Sequence, residues 1–168
     1  MMARLLLPMS MLSLLSVGAI FGFFYAWVCS TMWGLDAADP RVAIDAMQAM
    51  NASVRNAVFF PAFFLTPVFL AVTAGIAWLQ NRRGAAILFG ASAAVYVFGA
   101  FLVTAMVNVP MNEALARVTV PADAEAARRI WDDYSQPWQV WNTVRTVFSG
   151  IALLLTGMAI FNLKPEIH

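Results

Sequence analysis

Charged residues are absent from four stretches of the chain: 5–33, 57–80, 84–107 and 146–163. A helix crossing a hydrocarbon core roughly 30 Å thick needs about 20 apolar residues, and a mid-membrane charge costs roughly 2.5–3.5 kcal/mol on insertion scales. Each stretch therefore predicts a membrane-spanning helix. The connection Asn81-Arg82-Arg83 is too short for anything but a direct reversal. The fold expected is an all-α integral membrane protein: a four-helix up-down bundle forming one domain over residues 1–168, with short amphipathic helices in its first and third loops.

The first stretch invites comparison with a secretory leader, because Met1-Met2-Ala3-Arg4 precedes an apolar run and Ala26-Trp27-Val28-Cys29 faintly resembles a lipoprotein cleavage box. A leader core spans roughly 7–15 residues, far fewer than this run, so a retained helix is expected. Arg4, Arg82, Arg83 and Lys164 crowd the two ends and the tight turn, which places those segments, and so both termini, in the cytoplasm. The two longer loops carry Arg41, Arg55, Arg117, Arg128, Arg129 and Arg145, offset there by every acidic residue except Glu166. The Ala-rich composition makes a bacterial inner membrane the default location.

Polar patterning resumes in the loops. Asp39-Pro40 reads as an N-cap followed by proline at the first helical position. Val42, Ala46, Met47 and Met50 then share one face and Arg41, Asp45 and Gln48 the other, predicting an amphipathic helix that lies on the membrane or caps the bundle. Between 108 and 145, three pieces each open at a proline: Pro110 before Met111–Leu115, Pro121 before a charged helix to about Asp133, and Pro137 before a segment entering the fourth span. In that last piece Trp138, Trp141, Asn142 and Arg145 fall at i, i+3, i+4 and i+7, one helical stripe.

Tryptophan and arginine at a helix mouth are also what an interfacial belt contains. More polar groups converge at this level, however. The first span ends in Tyr25, Trp27, Ser30 and Thr31, the third in Thr104, Asn108, Pro110 and Asn112, and Asn51, Arg55 and Asn56 lead into the second. Polar side chains at membrane depth are expensive unless paired or functional. That favours a pocket at the non-cytoplasmic end, lined by the first, third and fourth spans.

Composition narrows the classes. With 62% hydrophobic and 11% charged residues, the chain has more apolar surface than a globule of 168 residues can hide, and a soluble domain is excluded. A net charge of +1 without a basic run excludes nucleic-acid binding. Cys29 has no partner cysteine, and His168 is the sole histidine, so neither a disulfide nor a multi-histidine metal site is available. The chemistry must rest on amides, indoles, a few charges or a borrowed cofactor.

Asn108-Val109-Pro110-Met111-Asn112 resembles the Asn-x-Pro-x-Asn motif of the anthrone oxygenase-like membrane proteins, a family long catalogued as a domain of unknown function. Trp138-x-x-Trp141-Asn142-x-x-Arg145 resembles its second signature, the tryptophan-rich entry to the last helix. The layout of spans and long loops matches as well, so the resemblance covers essentially the whole chain. Fungal members are associated with oxidising anthrones to anthraquinones. The resemblance implies an oxidoreductase, a cofactor-independent monooxygenase acting with O2 on a hydrophobic, aromatic, polycyclic phenolic substrate.

An anthrone methylene is acidic because its anion is a delocalised aryloxide, and that anion reduces oxygen directly. On this reading Trp138, Trp141, Trp27, Ser30 and Thr31 bind the substrate. Arg145, Asn142, Asn108 and Asn112 hold the oxyanion, and Asp36 or Glu113 assists proton removal. Two alternatives stay open: a non-enzymatic membrane subunit or quinone- or lipid-binding protein, and a haem or copper protein ligated through Cys29 or one of the ten methionines, since His168 lies at the opposite end from the polar cluster. Membrane lipid is the expected surround, and a homo-oligomer or a larger membrane complex is left open.

Overall fold

The structure, a computed structural model, describes residues 5–163. Arg4, Lys164 and His168 lie outside the described residues. Five helices follow in chain order: α1 (Leu6–Asp36), α2 (Pro40–Ser53), α3 (Phe59–Leu79), α4 (Arg83–Ala116) and α5 (Ala124–Phe161). All but α2 are long and apolar enough to cross a bilayer, and the described residues contain no strand. The chain is an integral membrane protein with the expected up-down bundle: α1 and α4 each pack between α3 and α5. Leu7, Leu15, Ile87, Phe98, Leu154 and Phe161 project outward, while Val17, Ile20, Leu70, Phe89, Tyr96 and Ala152 fill the interior.

Helix lengths decide the shape of one end. At 1.5 Å per residue α3 is about 31 Å long, the depth of the hydrocarbon, whereas α5 runs about 57 Å. The extra turns of α1, α4 and α5 continue past the start of α3 and build a second core with α2. Met32, Ala43, Ile44, Met47, Leu115, Ala127, Trp131, Tyr134 and Trp138 are buried there.

The third loop differs from the proline-punctuated reading. Pro110 lies inside α4 and Pro137 inside α5, and it is Asp123, not Pro121, that starts α5 by accepting the Ala126 N–H at 2.8 Å. A proline ring clashes with the preceding turn of an ideal α-helix. Just before Pro110 the backbone widens into a π-helical turn, Thr104–Asn108, with the Val109 N–H bonded to the Thr104 carbonyl. That wider turn takes the ring without ending the helix. The third span therefore extends to Ala116 and the fourth begins well before residue 146.

The first loop holds a helix where Asp39-Pro40 places it. The Asp39 carboxylate accepts the Arg41 N–H at 2.9 Å and its guanidinium at 2.6 Å, which holds the carboxyl down at about 2. The buried face is a correction: it comprises Pro40, Ala43, Ile44 and Met47, and Val42 is 58% exposed. The helix packs on α5 instead of lying flat on a membrane, and this rotates its apolar side by a residue. Gln48 fastens it further, donating to the Leu115 and Val118 carbonyls at 2.8 and 2.9 Å.

Within the bundle, polar groups find partners across helices. Pro67 has no N–H to give the Phe63 carbonyl four residues back, and the fully buried Tyr96 of α4 supplies its hydroxyl at 2.9 Å instead. Ser13 meets Thr73 at 3.0 Å between α1 and α3, and Ser92 meets Thr156 at 2.9 Å between α4 and α5. Gly99 sits in a further π-helical turn, Val97–Phe101, against Phe148, whose Cγ lies 2.0 Å from where a Cβ would stand.

Two stability predictions follow from this packing. Tyr96→Phe leaves the Phe63 carbonyl without a donor in hydrocarbon and should lower the unfolding free energy in detergent by about 1–3 kcal/mol. Tyr25→Phe, at a half-exposed position, should leave it unchanged. Gly99→Ala forces the Phe148 ring out of place, at about 1–3 kcal/mol, and Phe148→Ala in the same chain should recover part of that loss. An unchanged denaturation midpoint in either single variant contradicts the corresponding contact.

Candidate functional site

Because α3 starts lower than its neighbours run, its first turns and the chain entering them wall a cavity of about 800 Å³, within the usual size range of ligand pockets. Phe23, Phe24 and Trp27 of α1 and Phe59, Phe60, Phe63 and Phe64 of α3 supply most of its surface. Asn51, Arg55 and Val58 close the side formed by the end of α2 and the segment after it. Thr104, Asn112, Trp138 and Arg145 stand opposite. The second span and first loop thus contribute as much wall as the first, third and fourth spans, which corrects the expected lining.

The aromatic side is a continuous chain of ring contacts. Trp138 and Trp27 lie 5.1 Å apart between centroids, Phe23 and Phe59 4.8 Å, and Phe59 stacks on Phe63 at 5.4 Å. Offset and tilted contacts of this kind fix ring positions as well as burying area. A flat apolar molecule meets aromatic faces on several sides.

Arg145 is the polar centre. It is 5% exposed, with Nη2 donating to Asn142 Oδ1 at 2.9 Å and Nη1 to Thr104 Oγ1 at 3.3 Å. The guanidinium carbon lies 4.5 Å from the Phe24 ring centre and 5.2 Å from that of Trp138. Its Nε is buried without a partner. Among the described residues, the carboxylates in ion pairs with arginine are Asp39 and Glu113, and their partners are Arg41 and Arg55. Burying a cation without a counter-charge is costly. Here only neutral dipoles and ring faces offset that cost, and the uncompensated charge borders an aromatic cavity.

Asn142 positions this group. It spends its oxygen on Arg145 and its nitrogen on the Phe24 carbonyl at 3.1 Å, so it ties α1 to the guanidinium and does not border the cavity. Asn112 does border it. Its Oδ1 accepts from Trp138 Nε1 at 2.9 Å and from the Tyr134 hydroxyl at 2.8 Å, and Asn51 Nδ2 donates to that hydroxyl at 3.4 Å. Asn108 is fully buried in the π-helical turn of α4, with neither amide atom paired, and lies off the cavity.

Other sequence candidates fall elsewhere. Trp141 is 39% exposed and absent from the lining, since at about 100° per residue it sits on the edge of the Trp138–Asn142–Arg145 stripe. Ser30 is exposed, and Thr31 turns its hydroxyl to the Ala26 carbonyl at 3.2 Å. Both lie within the π-helical turn Trp27–Thr31, and neither borders the cavity. Asp36 accepts from Trp131 at 2.9 Å, Ser135 at 2.7 Å and Gln139 at 2.9 Å, a latch between α1 and α5 that occupies its carboxylate. Glu113 borders the cavity, 3.6 Å from Arg55. Cys29 is exposed and off the cavity, and no group of three His, Cys, Asp or Glu among the described residues could hold a metal.

Sequence reasoning missed Tyr134 and the phenylalanines of α3. The paired spacing of Phe59-Phe60 and Phe63-Phe64, one turn apart beside the first loop, is the signal that marks them.

The chain matches no curated protein and no solved structure. The family model described as anthrone oxygenase matches residues 50–155, a stretch that holds Asn51, α3, α4 and every α5 residue at the cavity. With well over half of its length matched, the chain belongs to the anthrone oxygenase family.

Proposed function

We propose that this chain is a membrane-embedded oxygenase that takes a polycyclic phenolic or anthrone-type substrate from the bilayer and oxidises it with O2, using no cofactor of its own. The observation that carries this reading is Arg145: a buried guanidinium with no carboxylate partner, facing an aromatic cavity. Such a site rewards a flat apolar ligand that becomes negatively charged as it reacts. Family membership supports the same chemistry.

The balance is simple. An anthrone gives up a methylene proton and becomes a delocalised aryloxide whose oxygen is held by Arg145. The electron-rich carbon reduces O2 and, with return of a proton, becomes a hydroperoxide. Loss of water then leaves the quinone carbonyl, so one oxygen atom enters the product and the other leaves as water. Of the described residues bordering the cavity, Glu113 alone has a carboxylate, and we assign it the proton. Trp27, Trp138 and the phenylalanines clamp the rings and exclude water, which strengthens the Arg145 interaction.

Removing an oxyanion donor costs about 2.7–4 kcal/mol, or roughly 100- to 1000-fold in rate. Lysine lacks the planar fork, so Arg145→Lys should lose most anthrone-dependent oxygen uptake while membrane yield stays at the wild-type level. Full activity in the lysine variant ends the catalytic reading.

We further propose a bacterial inner membrane as the location, with both termini cytoplasmic and the cavity at the opposite face. The basic turn at Arg82 and Arg83 supports it. Single cysteines at positions 83 and 123 should then label from opposite sides of the membrane. Labelling of both from one side overturns the topology.

A further inference from the structure

An indole nitrogen can donate a hydrogen bond and cannot accept one. Trp138 Nε1 stands 2.9 Å from Asn112, so the Asn112 atom facing it is the amide oxygen. Tyr134 donates to that same oxygen at 2.8 Å and is itself held by Asn51. Two donors on one atom settle how the amide is turned, a choice that heavy-atom positions alone leave open. The Asn112 nitrogen is therefore turned away from α5. Among the described residues it donates to no protein group, and Asn112 lies on the cavity wall.

The same indole that orients Asn112 also lies under Arg145, 5.2 Å from the guanidinium. A planar molecule resting against Trp138 meets a cation beside it, and Asn112 stands on the same wall. We infer that Asn112 is a second recognition point, donating to a neutral ring oxygen of a ligand whose anionic oxygen is held by Arg145. The ligand class is a rigid polycycle bearing both an anionic group and a neutral ring oxygen, as a hydroxylated anthrone anion or a substituted quinone does, and a hydrocarbon polycycle with the anion alone is bound less well. This assignment rests on the reading of Arg145 given above and adds the residue that selects among anionic polycycles. Tyr134 and Asn51 act through Asn112 as positioning residues.

Two probes separate the contributions. Anthraquinone-2-carboxylate and anthracene-2-carboxylate share an anion and a ring outline, and only the first carries ring carbonyls. Each is titrated into the full chain in lipid nanodiscs, with empty nanodiscs as blank. The wild type should prefer the quinone, and Asn112→Leu and Asn112→Asp should each cut the ratio of the two affinities by about tenfold, the worth of one hydrogen bond. The ratio is the readout because the new carboxylate in Asn112→Asp repels both probes alike, and because a purely structural role shifts both together. Tyr134→Phe should lower the ratio by less. Arg145→Lys should weaken both probes and leave it unchanged.

A wild-type chain that binds both probes without preference, or an Asp variant with an undiminished ratio, overturns the role of Asn112 and leaves that of Arg145 standing. Failure of the wild type to bind either probe overturns both. Should Asn112→Leu not fold, Asn112→Asp, which keeps shape and acceptor, decides alone.

Discussion

Hydrocarbon offers no hydrogen-bond partner, so a polar group inside this bundle is costly unless another part of the chain satisfies it. Much of the structure can be read as the consequence. Tyr96 gives its hydroxyl to the Phe63 carbonyl that Pro67 leaves without an N–H, and serines and threonines meet across helix pairs while also bonding main-chain carbonyls of their own or the neighbouring helix. The same constraint makes Arg145 conspicuous. Its donors are distributed over Asn142 and Thr104, its faces over Phe24 and Trp138, and no carboxylate among the described residues balances its charge.

Unequal helix lengths convert that bundle into a receptacle. A bundle of equal helices closes its own end with side chains, whereas here α3 is the shortest of the four long helices and its neighbours continue past it. The missing turns of α3 are replaced by α2 and the segment after it, which cover the space without filling it. Their attachment is polar and directional: Gln48 on the Leu115 carbonyl of α4 and the Val118 carbonyl just past it, Arg41 on the Ala122 carbonyl at 3.1 Å, and Asn51 on Tyr134. Asp36 fastens the other side through α5. An apolar chamber under a hydrogen-bonded lid suits a ligand that is itself apolar in body and polar at its edge.

The π-helical turns set the register of the site. One lies in α1 beside Trp27, and one in α4 holds Thr104 and Asn108 and makes room for Pro110. The one in α4 shifts the residues beyond it relative to an ideal α-helix, which brings Asn112 to Trp138, and the one in α1 contains Ser30 and Thr31, which do not border the cavity. Turns of this kind recur at functional sites because they let a continuous helix present side chains at angles that 3.6 residues per turn does not allow.

The spans, their up-down order and the α2 start at Asp39-Pro40 were legible in the sequence because each rests on a local rule: an apolar run of membrane length, a turn too short to do anything but reverse, a capping residue before a proline. The stripe of Trp138, Asn142 and Arg145 was legible for the same reason, as helical spacing alone puts those three on one face. The proline boundaries at 110 and 137 were misleading, since a helix buttressed on several sides retains a proline that would end it in isolation. Which residues meet was beyond any local rule. Packing among the five helices decided that Asp36 is a latch and that the phenylalanines of α3 form the second wall. It also left Arg145 buried without a counter-charge, because the cost or use of a charge depends on everything around it and not on its neighbours in the chain.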